Sequence, residues 1–289
     1  MRLQLSTFLL PYLLLLFPHN AASAASVSDF IDYSSTAVPG RLYVPPVATE
    51  SPEPRPLILF LHGLGETGNN NLSQIGSNIN NLLAGAKLHE AYLYAPQAIS
   101  SSWSSASRTT NVRSMIERAI GEMNVDENRL YVTGLSMGGG GTWNVLSRFS
   151  DRFAAGVPIA GINPAGDFNA GNLIGIPTWA FHARNDNVVS KNSSRNTINK
   201  ILTAAGETLP TYPSSSDTTT TLEFKNGSIE LNYTEWPTGR HSIWGRVYDT
   251  PEMYEWMFSQ TLADTIPEPA SGVMLLFAMN FLSLRRHQR

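Results

Sequence analysis

The sequence contains no cysteine among its 289 residues, and it carries few charges. The missing cysteine excludes disulfide bonds, thiolate zinc sites and a cysteine nucleophile together. Charged residues make up 15% of the chain and the formal net charge is −3, which gives no reason to expect nucleic acid or a strongly charged ligand. We expect neither a metal nor a cofactor, since His62 has no histidine or carboxylate pair at ligand spacing.

Long apolar runs are confined to the two ends of the chain. At the amino end, Arg2 precedes an apolar run over residues 9–17, and Ala21-Ala-Ser-Ala-Ala25 follows. A basic residue, an apolar stretch and a small-residue site are the layout of a secretory signal. We therefore predict that residues 1–24 are a signal peptide removed by signal peptidase after Ala24. A membrane anchor or a buried helix is the alternative.

The carboxyl end, residues 267–289, also has the pattern of a signal segment that is separate from the folded domain. Pro267-Glu-Pro269 is followed by fifteen mainly apolar residues and then by an arginine cluster from Arg285 onward. Fifteen residues are fewer than the roughly 20 that usually span a bilayer, although basic residues after an apolar helix fit its cytoplasmic side. The arrangement resembles the PEP-CTERM sorting signal, which implies cutting by an exosortase. A plain membrane anchor is the alternative. Both interpretations predict an exported protein that is extracellular or at the cell surface. We expect this helix to anchor it in the membrane transiently.

The remaining residues, 25–266, read as one α/β domain. Apolar, β-prone runs occur at residues 57–61, 91–94, 130–132, 153–159 and 177–182, and they alternate with helical patterns at 79–87, 109–123, 191–205 and 251–262. Strands alternating with helices predict a mostly parallel central sheet with helices on both faces. Residues 222–236, interrupted by Asn226-Gly227, predict a hairpin with a type I′ turn.

The pattern that is most informative about chemistry is Gly134-Leu-Ser136-Met-Gly138. It follows the run at 130–132 and precedes a helix-like segment. G-x-S-x-G in this strand–turn–helix context is typical of a nucleophile elbow. The serine of such an elbow has a positive φ, and small residues two positions away on each side let the strand and the helix approach closely. We therefore predict Ser136 as a catalytic nucleophile.

A serine hydroxyl needs an adjacent base, which an acid orients. In the α/β-hydrolase fold the chain order is serine, acid, histidine. His241 is the one histidine of residues 25–266 that follows Asp186, and it lies in a loop after the last predicted strand. Asp186 is the preferred acid because it follows the run at 177–182 in a short loop. Three rival aspartates lack this context, namely Asp167, Asp217 and Asp249.

Acyl transfer also requires donors for the developing oxyanion. In this fold they are two backbone N–H groups, one on the residue after the nucleophile and one in the loop after an earlier strand. The corresponding residues here are Met137 and Leu64, the latter in the glycine-rich loop at 62–68. We expect His62 to brace this loop.

Several segments together carry a family resemblance: His62-Gly-Leu-Gly-Glu-Thr-Gly68, Ala95-Pro-Gln97, residues 131–139, Gly141-Thr-Trp143, residues 151–155 and residues 240–244. They resemble bacterial secreted α/β-hydrolases of the esterase and predicted-peptidase group, whose relatives include feruloyl esterases, acetylxylan esterases and polyhydroxybutyrate depolymerases. The resemblance covers residues 41–262. It implies the α/β-hydrolase fold and the same three catalytic residues. Gly140 departs from the pattern, since relatives often carry a larger residue there, and this predicts a loose helix start.

Four side chains are candidates to contact substrate: Trp103, Gln97, Glu66 and Trp244. Trp103 is the strongest, because an aromatic residue in the otherwise polar loop at 99–107 has the least reason to be core. A place in the core is the alternative for both tryptophans.

These features predict an exported, monomeric serine hydrolase that cleaves carboxylic esters through an acyl-enzyme. The sequence does not identify the acyl or the alcohol group of the ester. Polysaccharide-linked and polyester substrates are both compatible with the resemblance. Two alternatives remain: a serine peptidase of the same fold, and a non-catalytic surface or matrix-binding protein that has kept the fold.

Overall fold

A computed structural model describes residues 25–262 except 101, 215 and 228. The predicted signal peptide and the predicted sorting tail lie outside these residues. Within the described residues, no helix combines the length and apolar character needed to cross a membrane.

The described residues form one sheet of nine strands: β1 Ile31–Asp32, β2 Gly40–Tyr43, β3 Arg55–Leu61, β4 Tyr92–Pro96, β5 Val125–Leu135, β6 Ala155–Ile159, β7 Thr178–Ala183, β8 Thr220–Asn226 and β9 Ile229–Trp236. Their order across the sheet is β1-β2-β4-β3-β5-β6-β7-β9-β8. Every neighbouring pair from β4 to β9 is parallel, while β1, β2 and β8 join antiparallel at the two edges.

Central strands are apolar at consecutive positions because both of their faces are covered. In β3, Leu57, Leu59 and Leu61 enter one hydrophobic core, while Ile58 and Phe60 enter the other. All five side chains are at most 1% exposed. A strand covered on both faces reads as a continuous apolar run, which explains why the sequence located β3 so clearly.

Six α-helices among residues 25–262 cover the sheet: α1 Asn80–Leu88, α2 Ala106–Glu122, α3 Met137–Arg148, α4 Asn192–Ala204, α5 Trp244–Tyr248 and α6 Pro251–Phe258. Buried residues of α2, α3 and α4 belong to one core, and those of α1, α5 and α6 belong to the other. The predicted mostly parallel sheet with helices on both faces is therefore confirmed.

The hairpin prediction is confirmed at the sheet edge. Strands β8 and β9 pair antiparallel from Thr220 opposite Glu235 to Asn226 opposite Ile229. Asn226 is the last residue of β8 and pairs with Ile229, so the turn begins at Gly227 and not at Asn226, where the sequence pattern predicts it. Gly227 has a φ of 55°, which glycine adopts without steric cost.

Parallel strands end at the same edge of a sheet, and this brings separate loops together. The loops after β3, β5, β7 and β9 carry Leu64, Ser136, Asp186 and His241 respectively. Every residue predicted for the chemistry thus follows the carboxyl end of a strand, the edge where open α/β sheets bind their ligands.

Candidate active site

Ser136 lies at a sharp turn between β5 and α3. Its φ of 56° and ψ of −114° place it in a conformation that side chains with a Cβ rarely adopt. Its N–H donates to the Ile159 carbonyl at 2.9 Å, and its carbonyl accepts from Gly140 at 3.1 Å. The backbone strain is therefore held by hydrogen bonds to the neighbouring strand and to the helix.

Two glycines permit the close approach that this turn needs. A Cβ on Gly138 would overlap the carbonyl oxygen of Leu61, which is the last residue of β3. A Cβ on Gly134 would come within 2.6 Å of the same oxygen. Because these obstacles are backbone atoms, no side-chain rearrangement could accommodate the substitution.

The glycine-rich start of α3 is packed rather than loose, which corrects the expectation drawn from Gly140. All four glycines from 138 to 141 are buried. A Cβ on Gly140 would lie 2.5 Å from Cγ1 of Ile162, and one on Gly141 would lie 2.6 Å from Cβ of Trp103. Ile162 thus occupies the space that a larger side chain at position 140 would need.

The structure brings Ser136, His241 and Asp186 together. His241 Nε2 lies 2.9 Å from Ser136 Oγ, and His241 Nδ1 lies 2.8 Å from Asp186 Oδ2. Nδ1 must carry a proton, since its partner is a carboxylate oxygen that can only accept. In the neutral ring Nε2 is then an acceptor, so the serine hydroxyl donates to it. This arrangement suits proton transfer from Ser136 to His241.

Asp186 is surrounded by donors, and its side chain is fully buried. Oδ1 accepts from the N–H groups of Val188 and Val189 at 2.8 and 2.9 Å. Burial by itself would raise the pKa of Asp186, but hydrogen bonds from His182, His241 and the two valines outweigh it and hold the pKa well below its usual range. The carboxylate is therefore ionised near neutral pH, as an orienting acid must be.

Met137 and Leu64 have the backbone placement expected of oxyanion donors. Met137 is the first residue of α3, and Leu64 begins a 3-10 turn that ends at Glu66. Such positions have no partner within their own helix. Within the part of the chain that is described, neither N–H donates a hydrogen bond to another group. Met137 directly follows Ser136 in the chain. The Leu64 loop adjoins the same turn, because a Cβ placed on Gly63 would touch the side chain of Leu135.

Trp103 does not line the site, which corrects the leading substrate-contact prediction. Its side chain is 1% exposed, its ring packs edge-on against His62, and its indole N–H donates to the His62 carbonyl at 3.0 Å. The small residue at Gly141 leaves room for this ring beside α3. A tryptophan in a polar loop therefore belongs to the core here.

Gln97 is also a structural residue rather than a substrate contact. Its side chain is 1% exposed, it accepts from the Asn71 N–H at 2.6 Å, and it donates to the Glu66 carbonyl at 3.0 Å. Burial and saturated hydrogen bonding leave it no group to offer to a ligand. Its amide instead ties together the loop that follows β3.

Glu66 and Trp244 remain partly exposed at the site, joined by a residue that the sequence did not indicate. Asn78 donates to the Glu66 carboxylate and accepts from the Trp244 indole N–H, the latter at 2.9 Å. The Trp244 ring packs edge-on against His241, with the ring centroids 5.5 Å apart. Trp244 therefore contacts His241 directly, whereas Glu66 is linked to it through Asn78. The role of both residues toward substrate stays a prediction. No sequence pattern distinguishes Asn78 from the other asparagines of its loop.

His62 braces its loop through both ring nitrogens. Nδ1 lies 2.6 Å from the Gly63 carbonyl, and Nε2 accepts from the Ala98 N–H at 2.9 Å. Burial lowers the pKa of His62 to about 4. A neutral ring thus joins the Leu64 loop to the segment after β4. Across the described residues, no group of three histidine or acidic side chains could hold a metal ion.

Comparisons with known proteins point to the same fold. Residues 91–220 match the PETase family, described as PET hydrolase-like. That stretch includes Ser136 and Asp186 but ends before His241. A bifunctional acetylxylan esterase/xylanase of Neocallimastix patriciarum is 28% identical over 136 residues, which are 47% of this chain and 20% of that protein.

Two solved structures extend the comparison to most of the domain. The crystal structure of a thermostable esterase has a TM-score of 0.65 and 30% identity, covering 81% of this chain and 64% of its own. An acetyl xylan esterase from Aspergillus awamori has a TM-score of 0.57 and 14% identity, covering 78% of this chain and 98% of its own. This chain spans less than two thirds of the thermostable esterase and one fifth of the xylanase. It has the α/β-hydrolase fold, and the proteins named here to which it is similar are esterases.

Proposed function

We propose that this chain is a serine hydrolase that cleaves carboxylic esters through an acyl-enzyme. The observation that carries the proposal is the hydrogen-bonded chain from Ser136 Oγ through His241 to Asp186. A base within hydrogen-bond reach of a nucleophile, itself oriented by a buried carboxylate, is the arrangement that activates a serine hydroxyl. The esterases to which the chain is similar support the same reaction.

The acylation step follows from these distances. Ser136 Oγ attacks the ester carbonyl carbon while His241 Nε2 takes the hydroxyl proton. The oxyanion that forms accepts hydrogen bonds from the N–H groups of Leu64 and Met137. When the intermediate collapses, the ester C–O bond breaks and His241 returns its proton to the leaving alcohol. Asp186 holds the imidazole and stabilises its charged form throughout.

Deacylation repeats the sequence with water in place of Ser136. His241 removes a proton from water, the resulting hydroxide attacks the acyl-enzyme, and the carboxylic acid leaves as Ser136 Oγ regains a proton. A balanced cycle therefore needs water and no other reactant.

Several exposed apolar side chains adjoin the site and favour an ester with an uncharged acyl or alcohol group. Leu64 is 59% exposed, Ile162 is 41% exposed and Val188 is 69% exposed. Ile162 donates its N–H to the Ser136 carbonyl, and Val188 donates to Asp186. These side chains would contact apolar parts of a bound ester, including an ester on a polysaccharide or polyester chain.

The decisive test is Ser136→Ala in protein expressed without residues 1–24 and 267–289. We expect it to abolish hydrolysis of short-chain nitrophenyl esters and labelling by a fluorophosphonate, with an unchanged circular dichroism spectrum. Ser114→Ala is the matched control, because Ser114 is an exposed serine on α2. Ester turnover that persists in the Ser136 variant would refute the proposal.

Two further assays separate the alternative functions. Cleavage of peptide anilides without cleavage of esters would identify a peptidase. A native protein that neither hydrolyses any ester of an acetyl, butyryl, feruloyl and hydroxybutyrate panel nor reacts with the fluorophosphonate would be a binding protein.

We further infer that the enzyme is exported, on the strength of the amino- and carboxyl-terminal sequence patterns alone. Mass spectrometry of protein recovered from a bacterial host should then show a mature chain beginning at Ala25. A chain that retains its first 24 residues would contradict this.

A further inference from the structure

His182 is a fully buried histidine that the reaction described above does not use. It lies near the end of β7, four residues before Asp186. Its Nε2 is 3.0 Å from the Val189 carbonyl and 3.2 Å from Asp186 Oδ2, while its Nδ1 is 2.8 Å from Ser194 Oγ. The ring therefore touches the same carboxylate oxygen that faces His241.

The neighbours of the ring determine where its proton lies. A carbonyl oxygen and an ionised carboxylate can only accept hydrogen bonds, so Nε2, which faces both, must be protonated. Ser194 can donate to Nδ1 through its hydroxyl, which satisfies the second nitrogen of a neutral ring. The protonated Nε2 of His182 thus faces the Val189 carbonyl and Asp186 Oδ2 together.

We propose that His182 is a positioning residue for the catalytic acid: its Nε2–H lies between the Val189 carbonyl, to which it donates at 3.0 Å, and Asp186 Oδ2 at 3.2 Å, the oxygen that also faces His241. The inference rests on the proposed function, because it assigns a role relative to the Ser136–His241–Asp186 chain. Two donors that converge on one oxygen restrict rotation of the carboxylate and keep it directed at His241 Nδ1.

This shared oxygen has a consequence for the base. A carboxylate that also binds His182 concentrates less of its negative charge on His241 than one that binds His241 alone. Loss of the His182 donor should therefore strengthen the attraction between Asp186 and protonated His241. The low-pH side of the kcat/KM profile, its acid limb, reports protonation of the base in the free enzyme. The acid limb should therefore move to higher pH.

Other charged groups near His182 are already paired. Glu235 lies opposite His182 in the register of β7 and β9, and it is fully buried. Arg184 donates to it at 2.9 Å, and Arg195, which follows Ser194 on α4, donates to it at 2.6 Å. A substitution at His182 leaves these ion pairs in place.

Two amide substitutions distinguish hydrogen bonding from packing. In His182→Gln the amide nitrogen can occupy the place of Nε2 and still donate to Asp186, whereas in His182→Asn the amide is too short and reaches only the Ser194 side. Ser194→Ala is the control, because it removes the contact at Nδ1 and leaves the Val189 and Asp186 contacts at Nε2 in place.

We expect His182→Asn to lower kcat about tenfold with little change in KM, the scale of one lost hydrogen bond to a charged group. Its acid limb should rise by about 0.5 pH unit or more. His182→Gln and Ser194→Ala should keep the native profile. An unchanged limb in His182→Asn, or equal shifts in the Asn and Gln variants, would overturn the proposal.

A measurement on the unsubstituted protein covers the case in which the asparagine variant does not fold. Nitrogen-15 NMR should show Nε2 of His182 protonated throughout the range of activity, and an unprotonated Nε2 would overturn the proposal. Failure of the proposed function is recognised separately, since it would appear as ester turnover or fluorophosphonate labelling that survives Ser136→Ala.

Discussion

The buried His62 should make the stability of this protein depend on pH in a predictable direction. Its ring accepts from the Ala98 N–H through Nε2, so a proton added there would face a donor. Burial lowers the pKa of His62 from the ordinary 6.5 to about 4. Below pH 6.5 the unfolded chain therefore binds a proton that the folded chain does not bind, and folding stability is lost as the pH falls toward 4. Above pH 6.5 the contribution is constant.

The size of the effect follows from the two pKa values. Between pH 7.5 and 4.5 the linkage relation gives a loss of about 2.5 kcal/mol in the free energy of unfolding from His62 alone. That is a large part of the roughly 5–15 kcal/mol that stabilises an ordinary domain. Because His62 holds the loop that carries Leu64, the same protonation should also reduce ester turnover at low pH.

Urea unfolding at the two pH values measures this, in the native protein and in His62→Gln. The glutamine cannot titrate, although its oxygen can still accept from Ala98. The native protein should lose about 2.5 kcal/mol more than the variant over this interval, while all other titrating groups cancel in the comparison. Equal losses in the two proteins, or an NMR titration that places the pKa of His62 near 6.5, would refute the reasoning.

Two other substitutions test structural assignments, and both are measured as free energies of unfolding. Trp103→Ala should cost about 3–5 kcal/mol because it empties a buried site, whereas Trp103→Phe should cost less, chiefly through the lost hydrogen bond to the His62 carbonyl. A cost below about 1 kcal/mol for the alanine variant would contradict the buried position of Trp103. Glu235→Gln should cost about 3 kcal/mol or more, since it leaves two arginines without their buried carboxylate, while Glu127→Gln at an exposed pair should cost under about 1 kcal/mol. Similar values for the two glutamate variants would contradict the buried network.

The sequence predicted the central strands and the elbow correctly because their signals are local. A strand covered on both faces is apolar at consecutive positions, as β3 is. Glycines two residues from Ser136 are required by the backbone of the turn itself, and the overlap that a Cβ on Gly138 would make with Leu61 shows why. The parallel topology then brings the predicted catalytic residues together, because the carboxyl ends of parallel strands meet at one edge of the sheet.

Side-chain roles in the loops were harder to predict, because they depend on neighbours that are distant in sequence. Trp103 is core only because Gly141 and His62 lie beside it, and no pattern in a polar loop indicates that. Gln97 is buried for the same kind of reason. For His182, the spacing of four residues before Asp186 is the one available signal of a role beside the catalytic acid.

By itself, then, the sequence determined the fold class, the strained serine turn and the order in which serine, acid and histidine follow one another. Each of these depends on backbone geometry and periodicity over short stretches. Tertiary structure alone decided that His241 bridges Ser136 and Asp186 at hydrogen-bond distance, that a second histidine shares the carboxylate, and that Trp103 is core. Hydrogen bonds and close packing are effective over a few ångströms, and only the folded chain brings residues 136, 182, 186 and 241 within that range.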